Sequence, residues 1–178
     1  PGLFAYLRTL QGTYDDAHHY DARPNVVATI FQGTANRMQN GYLLRDVINK
    51  VNEINFAATD EMHTLSMLYE SMLKEMRDAA GDAGEFYTPR PVVQLMVKVT
   101  DPRLGEVMED PACGTGGFEV ETFEHLKAQA QTAQDYQTLQ RTSIRGGEAK
   151  ALPYLLCQMN LLLHGLEAPN VTYGNSLA

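Results

Sequence analysis

Chemistry-bearing residues concentrate in one run, Asp110-Pro111-Ala112-Cys113-Gly114-Thr115-Gly116-Gly117-Phe118. Its glycines allow tight or left-handed backbone and let a ligand approach the main chain without a Cβ in the way. Spacing separates three ligand classes. A Walker loop needs Lys and then Ser or Thr after its last glycine, and here Phe118-Glu119 follow. A dinucleotide fingerprint needs a third glycine where Glu119 stands, a carboxylate at the helix start where a pyrophosphate would sit. A phosphate-free adenosyl ligand with a positive sulfonium, S-adenosylmethionine, fits better. The plain alternative is a β-α turn with surplus glycines.

Such a loop must be held between a strand and a helix. Glu106-Val107-Met108-Glu109 before it is semi-alternating and reads as the strand, while Val120, Phe123 and Leu126 recur at helical spacing after it. The helix is expected from 118 to about 130, followed by a polar helical extension or surface insertion over Ala128 to Arg141. Ser143 to Glu148 reads as a second strand ending in an acid. Such an acid can accept the ribose hydroxyls of an adenosyl ligand. Glu148 is roughly twice as far from Asp110 as the ~20 residues usual in dinucleotide folds, and the insertion accounts for the excess. Ala149 to His164 is a strongly apolar helix through Leu152, Leu155, Leu156, Met159, Leu162 and Leu163, with Cys157 in the core and His164 as its cap. Val171 to Tyr173 is a third strand, with Gly174-Asn175 as its exit loop. The Asn175 amide can pair with an adenine edge.

Upstream, Leu44, Val47, Ile48, Val51 and Ile54 make one helical face, and Leu65, Leu68, Tyr69, Met72, Leu73 and Met76 another. Thr59 or Asp60 is expected to cap the second helix, which Gly81 and Gly84 end. Thr88 is expected to cap a helix starting at Pro89 and burying Val92, Leu95, Met96 and Val99, until Asp101-Pro102 stops it. Phe4, Tyr6, Leu7 and Leu10 suit a short helix or strand. Gly12 to Pro24 is turn-rich, with His18-His19 in a surface loop. Val26 to Phe31 is β-rich and reads as a strand or a buried helix start. The expected organisation is a mostly helical region over 1–80 and an α/β region over 81–178.

Hydrophobic content of 44% and charged content of 20% in 178 residues are those of a soluble globular chain. A formal net charge of -8 argues against gripping DNA through a global positive field. Cys113 and Cys157 are far apart with no CxxC, so neither a zinc site nor a disulfide framework follows and a cytoplasmic setting is expected. No apolar run is long enough to span a membrane. The chain opens on Pro1 rather than Met and stops just after the third strand and turn, so a piece of a longer protein is expected.

Asp110 to Phe118, together with Gly84-Glu85-Phe86-Tyr87-Thr88-Pro89-Arg90-Pro91, resembles the modification (methyltransferase) subunit of type I restriction-modification systems. Pro153-Tyr154-Leu155-Leu156-Cys157-Gln158-Met159-Asn160-Leu161-Leu162-Leu163-His164-Gly165 and Tyr173-Gly174-Asn175-Ser176-Leu177 are similar to the same family. The resemblance covers at least 41–178. It implies part of a class I, Rossmann-like S-adenosylmethionine-dependent methyltransferase sheet, methylating adenine in DNA. The implied partners are DNA, a specificity subunit, a second modification subunit and a restriction subunit. It implies cofactor contacts from Glu85, Phe86, Tyr87, Thr88, Pro89 and Arg90, where the helix start would face the methionine carboxylate. The glycine-loop residues Asp110, Ala112, Cys113, Gly114, Thr115, Gly116, Gly117 and Phe118, then Glu148 and Asn175, complete the expected set. The family often has an acid in place of Asn175.

Amino-methylating enzymes resembling this family carry Asn or Asp, then Pro-Pro, then an aromatic, to hold the target amino group and stack on the flipped adenine. No Pro-Pro pair occurs in the chain. The expectation is therefore cofactor binding without the catalytic motif. Cys113, in the glycine loop, is not expected to be a nucleophile. Two rivals remain open: an assembly module with a vestigial loop, and a nicotinamide-dependent oxidoreductase, which Glu119 disfavours.

Overall fold

The computed structural model describes residues 2–14, 20–21, 23–32, 35, 38, 40–53, 59–79 and 88–177. His18, His19, Ile54, Gly81, Gly84, Glu85, Phe86 and Tyr87 lie outside them, as does the burial of Met76. The chain forms two compact units, Pro1–Leu65 and Ser66–Ala178.

The first unit holds α1 (Leu3–Leu7), a two-stranded antiparallel pair of β1 (Thr13–Tyr14) and β2 (Tyr20–Asp21), α2 (Arg23–Gln32) and α3 (Gly41–Asn52). The β-rich run Val26 to Phe31 is helical within α2. Its start explains why: the Asp21 carboxylate accepts the Arg23 N–H at 3.0 Å, and Pro24 in the first turn has no N–H to satisfy. Phe4 and Phe31 meet edge to face at 5.3 Å, joining α1 to α2. Asn40 caps α3 by accepting the Tyr42 N–H at 2.9 Å. The apolar face of α3, with Tyr42, Leu43, Val47, Ile48 and Val51, is exposed.

Helix α4 (Thr59–Ala79) begins at Thr59, one of the two residues at which its start was expected. Its later turns belong to the second unit. There Tyr69, Leu73 and Ser66 are buried while Leu68 and Met72, also on the expected face, are exposed. The Tyr69 hydroxyl donates to the Leu156 carbonyl at 2.8 Å.

Helix α5 (Arg90–Thr100) begins one residue later than expected. Pro89 is its N-cap and no side chain caps it, so Thr88 does not. Its buried residues are Val93 and Val97, which face α6 (Gly117–Lys127). The expected buried face, Val92, Leu95, Met96 and Val99, is the exposed one. Periodicity finds an apolar stripe but does not say whether anything covers it.

Three parallel strands make the sheet, in the order β3 (Met108–Asp110), β4 (Ile144–Glu148), β5 (Asn170–Tyr173). Asp110 pairs with Gly146, and Glu148 with Tyr173. Between β3 and β4 run α6 and a separate helix α7 (Ala133–Arg141). Thr132 and Asp135 start α7 with a reciprocal capping box. Between β4 and β5 runs α8 (Ala151–Leu163). Its buried stripe is Pro153, Cys157, Asn160 and Leu161, whereas Leu152 and Met159 are exposed. Cys113, Val120, Phe123, Leu126, Leu139, Ile144, Cys157, Leu161, Leu166 and Val171 form one core. Among the described residues no helix is long and apolar enough to cross a membrane.

Candidate functional site

Chain reversal after β3 is set by two left-handed glycines, Gly114 at φ +57° and Gly116 at φ +82°. Gly116 is also the N-cap of α6, and an added Cβ there would lie 2.8 Å from Cys157 Sγ. Glycine is thus required twice over at one position, by conformation and by space.

The loop is pinned along its length. Asp110 Oδ1 accepts the Ala112 N–H at 2.9 Å. The Cys113 N–H donates to the Gly147 carbonyl at 3.0 Å, and the Gly114 N–H to Glu148 Oε2 at 3.0 Å. Asn160 Nδ2 donates to the Thr115 carbonyl at 3.0 Å. Arg90 Nη1 donates to the Gly117 carbonyl at 2.8 Å. Finally Ser176 Oγ donates to the Pro111 carbonyl at 2.6 Å, in the gap that Gly147 leaves open. Cys113 and Cys157 are buried free thiols 3.8 Å apart. The Cys113 contact and burial push the Cys157 thiol well above its usual range.

A cavity of about 100 Å³ opens beside this loop. The expected residues that line it are Thr88, Arg90, Asp110, Ala112, Cys113 and Gly114, with Thr115, Gly117 and Phe118. Pro89, Gly116, Glu148 and Asn175 do not. Glu148 is buried beneath the loop, where its other oxygen accepts the Lys150 N–H at 2.7 Å. Asn175 is exposed, and its Oδ1 accepts the Leu177 N–H at 3.0 Å.

Two lining residues escaped the sequence reading, Glu70 and Asn160. Glu70 takes Arg90 Nε at 3.0 Å and pairs with Nη2 as well. Only α4 and α5 packing could bring them together. Asn160 had a signal, a polar residue amid Leu155 to Leu163, where an apolar helix needs a reason for an amide.

Glu119 corrects one premise. Its carboxyl is not at the helix mouth: it is fully buried, its side-chain oxygens have no partner, and an added Cβ on Gly146 would lie 3.2 Å from Oε1. Burial first, then Cys113 and Asp110, hold its pKa well above the usual carboxylate range. The helix dipole favours a charge there by only about 0.3–1 kcal/mol, against several kcal/mol for desolvation. Burial therefore favours the neutral form of the Glu119 carboxyl. A second cavity of about 370 Å³, between α5, α6 and β3, is lined mainly by apolar groups such as Met96, Val107 and Met108. Among the described residues no cluster of His, Cys, Asp or Glu could hold a metal.

A small parallel sheet whose first strand leads through a pinned glycine loop into a helix, with an acid ending the second strand, makes the second unit an α/β fold. Residues 60–178 match the family model described as N-6 DNA Methylase, and the chain belongs to that family. It is 46% identical over 177 residues to the methylase subunit of the type I restriction enzyme EcoEI from Escherichia coli. That match covers 98% of this chain and 35% of the subunit. A solved modification subunit, assigned to a type I restriction enzyme of Vibrio vulnificus, superposes with a TM-score of 0.81 at 65% identity. It is covered over 35% of its length and covers 99% of this chain. A second solved structure, from work on assembly of a type I restriction-modification system, matches at 40% identity and a TM-score of 0.80, over 98% of this chain and 34% of its own. The chain thus spans about a third of these relatives.

Proposed function

We propose that this chain is the cofactor-binding part of a type I modification subunit and that its cofactor is S-adenosylmethionine. The observation that carries the reading is the loop Asp110 to Phe118, pinned in a ligand-ready shape between β3 and α6 by Glu148, Asn160 and Arg90. Membership of the N-6 DNA Methylase family supports it.

The residues present fit the group. The cavity beside the loop offers an orphaned buried acceptor, Asn160 Oδ1, and a charged pair, Arg90 with Glu70. At about 100 Å³ it suits one end of the ligand, since whole small-molecule sites run to about 300 Å³ or more. The amino-acid end belongs there. Thr88, Arg90, Asp110, Ala112, Cys113, Gly114, Thr115, Gly117 and Phe118 surround it, with Gly116 setting the turn and Pro89 starting α5. Glu148, whose two oxygens hold the Gly114 and Lys150 N–H groups, is assigned to the ribose through its remaining lone pairs, and the exposed Asn175 to the adenine edge. Bound S-adenosylmethionine supplies a methyl group on a positively charged sulfur.

The intact subunit is proposed to deliver that methyl to the exocyclic amino nitrogen of adenine in DNA, in a complex with specificity, restriction and second modification subunits. These 178 residues contain no Pro-Pro pair to build the amino-holding site, and a net charge of -8 disfavours DNA binding by this part alone. The parallel sheet is assigned as part of a class I methyltransferase sheet. The exposed apolar face of α3 favours an additional assembly role for the first unit.

Calorimetric titration with S-adenosylmethionine and, separately, with NAD tests the reading. Saturable binding is expected with the first only, lost in Gly116→Asp and weakened about 10-fold or more in Glu148→Ala. No binding by demonstrably folded protein would overturn cofactor binding and leave the assembly role.

A further inference from the structure

Asn160 is 1% exposed and its amide is half satisfied. Nδ2 donates to the Thr115 carbonyl at 3.0 Å, while Oδ1 has no partner. The orientation is forced. A carbonyl oxygen only accepts, so the amide must turn its NH2 to Thr115 and leave its oxygen over. A buried acceptor left unpaired is unfavourable, and native folds seldom keep one without a ligand or a water to fill it.

The same residue lines the cavity beside the glycine loop, together with Glu70 and Arg90. The cavity therefore has an unmet demand for a hydrogen-bond donor. A carboxylate, Glu70, lies in the same wall, as does Asp110. Glu70 already binds Arg90, but each carboxylate oxygen has a further lone pair. A hydroxyl would answer Asn160 alone, whereas an ammonium, with three N–H donors and a positive charge, answers both.

We infer that Asn160 Oδ1, with Glu70 as the balancing charge, holds the α-ammonium group at the amino-acid end of the cofactor. This rests on the S-adenosylmethionine reading and deepens it, because it states which charge on the ligand is selected and by which atom. Asn160 then has two jobs: its nitrogen fixes the loop and its oxygen reads the ligand.

The test compares S-adenosylmethionine with its des-amino analogue, in which hydrogen replaces the ammonium, by calorimetry on wild type, Asn160→Leu and Glu70→Gln. Circular dichroism checks each fold. Wild type is expected to prefer the amino ligand by about 10-fold or more, the usual scale for hydrogen bonds to a charged group. Both variants are expected to lose most of that preference. Asn160→Leu also removes the bond to Thr115 and can disturb the loop. Glu70→Gln leaves the Asn160 bond to Thr115 in place and is expected to weaken the amino ligand far more than the des-amino ligand. Equal weakening of both ligands in the variants would overturn the inference, leaving Asn160 a loop anchor only. So would equal affinity of wild type for the two ligands. Failure of folded wild type to bind S-adenosylmethionine at all is a different result, which removes the cofactor reading and this inference together.

Discussion

Two residues in the glycine-loop region carry measurable consequences of burial and backbone shape. An alanine at Gly116 must adopt φ +82° and push its Cβ to 2.8 Å from Cys157 Sγ. Left-handed backbone alone is unfavourable by about 1–2 kcal/mol for a residue with a Cβ, so Gly116→Ala should lower stability by about 2 kcal/mol or more in urea melts. Gly117→Ala is the control. Nothing lies within 4 Å of its would-be Cβ, and a similar loss there would show that the loop is not specifically strained at 116. Glu119 gives a pH signature. Its folded pKa is raised, so the folded state holds a proton that the unfolded state releases, and stability falls as pH rises above the ordinary glutamate value of 4.5. Glu119→Gln removes that slope. Its stability relative to wild type should be unchanged by titration near about pH 4 and should improve steadily above it. A pH-independent difference would mean that the folded carboxyl ionises normally. Both residues stand in the sequence as glycine-loop letters. Neither the thiol that crowds Gly116 nor the interior position of Glu119 is visible there, because both depend on how α6 and α8 meet the sheet.

Helix boundaries after residue 88 were legible to within a few residues, but the caps were not: Thr88 does not cap α5, and the box that starts α7 went unread. The polar run before β4 resolves into α7 because Thr132 and Asp135 cap each other's backbone. Removing that cap by Thr132→Ala should reduce stability by about 1 kcal/mol, read as a lower denaturant midpoint. An unchanged midpoint would mean that α7 is held by Leu139 in the core alone. Faces were less legible than boundaries. On α5 the stripe Val92, Leu95, Met96 and Val99 has helical spacing, yet the buried positions are Val93 and Val97. The narrow i, i+4 pair is what α6 can cover; the broader stripe is what hydrophobicity picks out. The same exchange occurs on α8, where Asn160 lies inside and Leu152 outside. Residues that line the cavity from distant helices, Glu70 above all, are fixed by packing and leave no local mark.

Taken whole, the second unit has a three-stranded sheet in which β3 is an end strand, paired only with β4 among the described residues. Beside it lie the larger apolar cavity and the exposed stripe of α5, where Val99 is 77% and Leu95 62% exposed. An open strand edge next to apolar surface favours association. Sedimentation of the purified chain should show concentration-dependent self-association, reduced in Leu95→Lys with Val99→Lys; a monomer at all concentrations would count against it. The strand-loop-helix order was readable from the sequence, because β3 and β4 are each followed by a helix, and the family resemblance implied the Rossmann-like sheet. What closes the arrangement was not. The Ser176 hydroxyl reaches back to the Pro111 carbonyl across 65 residues. During synthesis, the glycine loop leaves the ribosome long before the serine that latches it. Its start can receive this tie only after β5 has emerged, so a loop made early is among the last parts to be fastened.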